Sequence, residues 1–352
     1  MRVTLRDIAE RCGVSKSLVS RIINSDPSLR VSARTRARVL EEVNQSGYIQ
    51  NMNAVALAHQ LHKKEEIRPR IGYLSYSTSL HSGIGHPYFS SIVRGIEEQA
   101  NRQGCELALT MTVHDFRHNL AELEQRFSGE NRLDGILLMG AIDDSRTLRS
   151  IKRVAKYIVS VESQFEKSVD YVGVDIHQSM RLVLDHMLSL GYEQFGLVCS
   201  DAVVKAPLYA YCVQVLREHG LRFAPEWVLD GGYSVEQADQ EVTRQLERSM
   251  PPRAIVCWND EMAIGCIKAL QNRGYRVPED VAVTGHDDIA IAAYVDVPLT
   301  TVHIYKEDIG RLAVKILADR IETRRKNSVL LEIPGKLVKR DSCGCRLVSR
   351  EP

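Results

Sequence analysis

The chain has 352 residues, of which 44% are hydrophobic and 26% charged, ordinary values for a globular protein of two or three domains. Its net charge of +1 singles out no partner. No run approaches the ~18 apolar residues of a membrane span, which excludes a transmembrane helix.

The distribution of charge says more. Residues 1–64 carry 11 Lys/Arg against 5 Asp/Glu, a net of +6, while the remainder carries 35 against 40, a net of −5. A basic segment ahead of an acidic body is what a nucleic-acid-binding module joined to a separate domain looks like, and a solvated basic face is the plain alternative. No apolar run follows Met1–Asp7, so no secretory signal is expected. Eight cysteines are scattered at Cys12, Cys105, Cys199, Cys212, Cys257, Cys266, Cys343 and Cys345. Several lie in apolar runs, so a reduced, cytoplasmic protein is expected.

The first predicted helix begins at the N-cap Thr4, with Leu5, Ile8, Ala9 and Cys12 on one buried stripe, and Gly13 ends it. Ser15 caps a second helix two residues later. Val19, Ile22 and Ile23 form its buried face, and Lys16, Ser17, Ser20 and Arg21 point the other way. Two short helices around a Gly-containing turn make a helix-turn-helix, whose second helix enters the major groove. Arg21 is suited to guanine O6 and N7, and Lys16 to guanine or phosphate. A third helix is predicted from the cap Ser32 to about Ser46, with Arg34, Arg36 and Arg38 crowding its first half. Ser15 and Ser32 at helix starts are natural phosphate contacts. A three-helix partner module without DNA is the alternative reading of this segment.

The run Thr4–Asn24, then Val31-Ser-Ala-Arg-Thr-Arg36 and Gly47-Tyr48, resembles the DNA-binding domain of the lactose-repressor/galactose-repressor (LacI/GalR) family without a break over about forty-five residues. The resemblance implies a dimer on a near-palindromic operator. It implies a DNA-contacting set of Thr4, Ser15, Lys16, Ser17, Ser20, Arg21, Asn24 and Ser32, with Lys16, Ser17 and Arg21 reading bases. Tyr48-Ile-Gln-Asn-Met-Asn-Ala-Val-Ala-Leu57 resembles the hinge helix of that family. Ala54 lies in that segment, and Leu57 matches a leucine that wedges into the minor groove. Gln50 stands where the family has Pro. A bare linker is the alternative for this stretch.

From Ile71 onward, apolar runs at Ile71–Leu74, Glu106–Thr110, Gly135–Met139, Tyr157–Val161, Tyr171–Val174, Phe195–Cys199, Ala254–Cys257, Val281–Thr284 and Leu330–Ile333 alternate with amphipathic stretches. The latter include Phe89–Arg102, Ser179–Leu190, Pro207–His219, Val235–Arg248 and Glu261–Asn272. This alternation predicts parallel sheets with helices on both faces, and nearly 280 residues predict two doubly wound, Rossmann-like subdomains. There is no GxGxxG after a strand, no Walker A sequence, no GxSxG, no HExxH and no paired CxxC. No enzyme activity, cofactor or metal is therefore expected. Cys343-Gly-Cys345 offers two close thiols but no neighbouring histidine or second pair in sequence, a weak metal signal.

The resemblance to the LacI/GalR family continues through Pro87–Glu97, Asp134–Leu138, Leu190-Gly-Tyr192, Asn259–Gly265, Val277–Asp288 and Pro298–Val302. It implies a periplasmic-binding-protein-like effector domain with ligand held between subdomains, outside the carboxyl ends of the strands. The expected organisation is a helix-turn-helix domain over 1–49 and a hinge helix and linker over 50–69. An N-subdomain spans 70–170 plus 303–330, a C-subdomain 171–302 plus 331–345, and a tail 346–352. Crossings between subdomains are expected near Tyr171, Val302 and Leu331. The implied effector ligands are Asn259 and Asp287 for hydroxyls and Tyr233 and Trp258 as aromatic platforms. His86, Tyr88, Phe89 and Glu162 join them from the first subdomain. The family's ligand-gripping Arg is replaced by Leu208, with Lys205 a candidate substitute that offers a point charge and no fork. The longer loop from Ser77 to Gly85 suits a disaccharide or oligosaccharide.

These readings together predict a cytoplasmic, nucleoid-associated, dimeric regulator, a repressor of carbohydrate-utilisation genes controlled by a sugar. A regulator with a non-sugar effector or protein partner is the alternative within the class, and a sugar-processing enzyme the alternative outside it.

Overall fold

The computed structural model describes residues 5–23, 29, 31–45, 68–75, 86–140, 145–200 and 207–345. They fall in two compact units, residues 1–67 and 68–352. In the first, α1 (Leu5–Cys12), α2 (Lys16–Ile23) and α3 (Ala33–Gln45) close on a small core of Ile8, Ala9, Cys12, Val19, Ile22 and Val39. Gly13, at φ +59°, makes the α1–α2 turn possible. Thr4, Asn24, Ala54, Leu57 and the whole expected hinge helix lie outside the described residues.

The second unit runs in chain order through β1 (Arg70–Ser75), α4 (Pro87–Arg102), β2 (Glu106–Thr112), α5 (Val113–His118), α6 (Leu120–Arg126), β3 (Leu133–Met139), α7 (Ser145–Val154), β4 (Ala155–Val161) and β5 (Asp170–Asp175). It continues with α8 (Ile176–Ser189), β6 (Phe195–Cys199), α9 (Pro207–Arg217), β7 (Phe223–Asp230), α10 (Val235–Leu246), β8 (Ala254–Cys257), α11 (Asp260–Asn272) and β9 (Ala282–Thr284). β10 (Thr301–His303), α12 (Lys306–Thr323), β11 (Leu330–Pro334) and β12 (Lys336–Val338) complete it.

Two parallel sheets define two lobes. The first has the order β11-β5-β4-β3-β1-β2 and the second β7-β6-β8-β9, with the short antiparallel pair β10-β12 beside it. The inner strands β3, β6 and β8 are near-continuous buried apolar runs, as strands covered by helices on both faces require. In the first lobe α4 and α12 approach backbone to backbone. A Cβ at Gly95 would run into the Glu307 carbonyl oxygen, and one at Gly310 into that of Ile92.

The positions of two crossings differ from expectation. β5 and β11 pair with each other inside the first sheet, Leu331 opposite Val172. The chain therefore leaves that sheet after Asp175 and after Pro334, not near Tyr171 and Leu331. Two strand runs that sequence reads as the start of second-lobe segments are held in the first lobe by this pairing. Asp170, fully buried, anchors the edge: Arg325 donates to its two oxygens at 2.7 and 2.9 Å and the Val329 amide at 2.7 Å.

The three crossings are joined to one another. β10 and β12 pair from Thr301–Val338 to His303–Lys336. Gln178, in the first turn of α8, accepts from the Gly335 amide at 3.0 Å and donates to its carbonyl at 3.3 Å. A Cβ at Gly335 would lie 2.5 Å from Val302 and 2.7 Å from Ser179, so the crossings meet where only glycine fits.

Candidate functional site

On the helix-turn-helix, the sequence places a polar face opposite its buried stripe, and the fold does the same. Ser15 Oγ accepts from the Leu18 amide at 3.2 Å and Ser32 Oγ from the Thr35 amide at 3.1 Å, so both serines cap helices. Lys16, Ser17 and Arg21 are exposed on α2. Ser20 lies on the same helix. Arg34 and Arg38 are exposed on α3. Basic and hydroxyl side chains thus line the helix that such motifs present to a major groove.

In the larger unit, polar groups gather past the carboxyl ends of strands in both lobes. Five described non-glycine residues have positive φ, and four of them are Glu162 (66°) after β4, Tyr233 (58°) after β7, and Asp287 (121°) and Asp288 (51°) after β9. Non-glycine residues held there carry backbone strain that persists only where the surroundings enforce it, and such strain clusters at functional sites.

The Glu162 carboxyl is enclosed, and its Oε1 has no protein partner. Burial raises its pKa to about 7, and the Asp287 charge adds to the rise against a hydrogen bond from the Tyr88 hydroxyl. Burial likewise holds the phenols of Tyr88 and Tyr171 above their usual range, with Glu162 reinforcing both. Lys306, almost fully buried, donates from Nζ to the carbonyls of Asp287 and Asp288, the latter at 3.3 Å, and lies 5.8 Å from the Tyr88 ring centroid. Burial lowers its pKa while the surrounding carboxylates oppose the drop.

Asp287 Oδ1 also meets His286 Nδ1 at 3.1 Å, and His286 Nε2 is buried with no protein partner. Asp288 is held by Arg340 at 2.7 Å and His303 at 2.8 Å. Burial pushes its carboxyl up, but these two partners outweigh it and keep it below the usual range. Asp260 is a clamp: its oxygens accept from Thr301 Oγ1 at 2.5 Å and the Ile289 amide at 2.8 Å. Burial and the Asp287 charge keep its carboxyl well above the ordinary range.

The two lobes also meet directly. His86 caps α4 through Nδ1, which accepts from the Tyr88 amide at 3.2 Å, and its Nε2 lies 3.0 Å from Glu261 Oε2 on α11 of the other lobe. Phe89 packs tilted against His86 and edge-to-face with Tyr88, its ring centroid 5.3 Å from each.

Of the sequence-derived effector residues, His86, Tyr88 and Phe89 lie at the start of α4 and Glu162 just past the end of β4 in the first lobe; Tyr233, Trp258 and Asn259 lie at strand-to-helix junctions of the second, and Asp287 just past the end of β9. Tyr233 is 46% exposed and accepts from Ser200 Oγ at 2.9 Å. Asn259 spends its Oδ1 on capping α11, accepting from the Met262 amide at 2.8 Å. Trp258 is half-buried between two core clusters. Leu208 is partly buried against the main core. Lys205 and the Ser77–Gly85 loop lie outside the described residues. Sequence reasoning missed Lys306, Asp260, Asp288 and Arg340. Lys306 and Arg340 stand after crossings, where no strand-end pattern marks them, and Asp260 reads as an ordinary first-turn acid.

A helix-turn-helix unit together with a two-lobed parallel α/β body defines a DNA-binding regulator built on a binding-protein-like fold. Residues 4–51 match the model described as bacterial regulatory proteins, lacI family, and residues 184–343 that of a periplasmic binding protein-like domain. The chain is 32% identical to the HTH-type transcriptional repressor MelR of Bacillus subtilis, over 97% of this chain and 98% of MelR. It is 29% identical to the HTH-type transcriptional repressor PurR of Pasteurella multocida, over 98% of this chain and 99% of PurR. The protein belongs to the lacI family of bacterial regulatory proteins.

Among solved structures, the lac repressor dimer bound to operator and the anti-inducer ONPF is similar at 26% identity and TM-score 0.65, covering 97% of this chain and 99% of that one. The transcriptional regulator CelR–cellobiose complex shares the fold at 23% identity and TM-score 0.68, over 97% and 100% of the two chains. Among the described residues no helix is long and apolar enough to cross a membrane.

Proposed function

We propose that this regulator is a cytoplasmic, nucleoid-associated, dimeric repressor of carbohydrate-utilisation genes, whose effector is an uncharged sugar or oligosaccharide held between the lobes. The observation that carries the reading is the set of strained, carboxylate-rich strand ends at Glu162, Asp287 and Asp288. Carboxylates accept from hydroxyls and suit vicinal diols. Tyr233 and Trp258 supply apolar faces for a sugar ring. Asn259 retains its amide nitrogen for a ligand after capping α11. The names of the relatives MelR and PurR, both repressors, and the operator-bound lac repressor dimer support the DNA side.

In this reading, recognition helices of two protomers and the 50–69 hinge helices, with Ala54 and Leu57, grip a near-palindrome, and the angle between the lobes biases that grip. Thr4, Ser15, Ser20, Asn24 and Ser32 are assigned backbone-positioning roles. Lys16, Ser17 and Arg21 are assigned base reading.

Arg21→Ala is expected to weaken operator binding by about 1–3 kcal/mol and to relax specificity at one position. Unchanged affinity for a selected operator sinks the assignment of α2. For the effector, melting of the full chain is measured with neutral mono- and disaccharides, sugar phosphates, nucleobases and amino acids. A neutral sugar is expected to add about 2.7 kcal/mol at a hundredfold excess over its Kd, and to change operator affinity in the same concentration range. Stabilisation by another class alone overturns the sugar reading, and chemical turnover of a stabilising sugar would revive the enzyme reading.

A second reading is control by a non-sugar effector or a protein partner. It is favoured by Leu208, which stands at the position of the family's ligand-gripping Arg and packs against the core. It predicts no thermal shift from any sugar in the panel.

A further inference from the structure

Outside the cleft, the Cys343-Gly-Cys345 turn comes to rest against α8. His186, near the end of that helix, turns its Nε2 to 3.4 Å from Cys343 Sγ. The two thiols and this nitrogen all lie within 4.8 Å of one another. Both sulfurs also converge on one acceptor, the Arg340 carbonyl, at 3.6 Å for Cys343 and 3.3 Å for Cys345. The turn is held from outside: Tyr192 donates to the Cys343 carbonyl at 3.1 Å, Gly344 sits at φ +75°, and a Cβ there would lie 2.9 Å from the Tyr192 hydroxyl. Cys343 and His186 are buried, and Cys345 is half-exposed.

From this cluster we infer a binding site for a thiophilic divalent cation of the zinc type, with His186 Nε2 and the Cys343 and Cys345 sulfurs as ligands. A tetrahedral zinc centre has Zn–S near 2.3 Å and Zn–N near 2.0 Å, which sets S···N edges at about 3.6 Å and S···S edges at about 3.8 Å. The His186–Cys343 separation already has that length, and small rotations about the cysteine Cα–Cβ bonds complete the triangle. The imidazole binds in its neutral form, with Nε2 turned toward the sulfurs. Binding converts both thiols to thiolates and releases two protons to solvent. The dication and two thiolates then sum to zero charge, the arrangement a buried site tolerates best. The fourth position faces the half-exposed side of Cys345 and is filled by water. A loaded site fastens the chain's last described turn to α8, the helix that follows the first crossing.

The test uses the full-length, reduced chain in metal-free buffer, titrated with Co²⁺ as a spectroscopic probe. The expected result is thiolate-to-cobalt charge transfer and the intense visible bands of a tetrahedral centre, saturating at about one equivalent and bleached by Zn²⁺. Both signals are lost in Cys345→Ser, which replaces a half-exposed side chain, and kept in Cys105→Ser, which removes a thiol elsewhere. His186→Gln is expected to keep weakened charge transfer and lose the tetrahedral band pattern. If cobalt gives no charge transfer, or gives it equally in a folded Cys345→Ser, the site is refuted. Air oxidation of Cys343 and Cys345 to a disulfide, with no cobalt uptake by the reduced chain, refutes it equally.

Discussion

Asp170→Ala is expected to destabilise the larger unit by about 3–5 kcal/mol, because it removes one partner of a buried ion pair and leaves the other uncompensated. Asp170 has no exposed surface. It accepts from Arg325 through both oxygens, from the Val329 amide, and lies 3.7 Å from the Arg320 guanidinium. Those donors come from α12 and the loop that feeds β11, so one carboxylate holds the returning chain against β5. Urea midpoints of the variant and of Arg325→Ala check the expectation. The two should fall together, and the double variant should lose much less than the sum. Additive losses would show that the two side chains do not act as a pair.

Glu162→Gln is expected to have the second-largest effect, and its sign depends on pH. The folded value of about 7 stands above the ordinary 4.5. The stability contributed by the protonated group is therefore fully present below pH 4.5. It is lost as pH rises through 7, by about 3 kcal/mol in all. The amide stays neutral throughout. The variant should match the wild type near pH 4.5 and exceed it by that amount at pH 8. A difference independent of pH would mean that the carboxyl ionises normally in the folded state. In the proposed effector complex the same variant should bind more weakly above pH 7, since a hydroxyl donor favours the carboxylate that Gln lacks.

Much of this architecture is legible in the amino-acid order. The stripe through Ile8, Ala9 and Cys12 and the pair Val19 and Ile22 predict the small core of the first unit, and these side chains are buried there. The nine apolar runs all fall on strands of the two sheets. What periodicity misses are the elements shaped by pairing. β7 contains Pro225 and Glu226 in its middle and is readable as a strand only because β6 pairs with it across an irregular register. β10 and β12 are three residues each and exist through one another.

The candidate cleft was partly legible. Strand ends that a family pattern marks, such as Glu162, Asn259 and Asp287, stand out. Lys306 and Arg340 do not, since their approach to Asp287 and Asp288 depends on where the crossings fall. The Cys343–Cys345 turn lacked a histidine in sequence because His186 is 157 residues away from Cys343 and is delivered by α8.

The way the crossings are tied together sets what the two lobes can do. Three independent strands would let one lobe slide, tilt and turn against the other. The ladder between β10 and β12, and the Gln178 amide gripping Gly335, couple all three strands, and packing around that glycine takes up the remaining slack. On that argument, a change of angle is the relative motion that these ties oppose least. Under the proposed function, a molecule drawing the lips of the cleft together would push along the same coordinate whichever side chain it grips, be it His86, Tyr233 or Asp288. In the proposed reading, recognition chemistry is thereby uncoupled from mechanical output: substitutions at the lips would change which compound is sensed, while the motion passed through the crossings would stay the same.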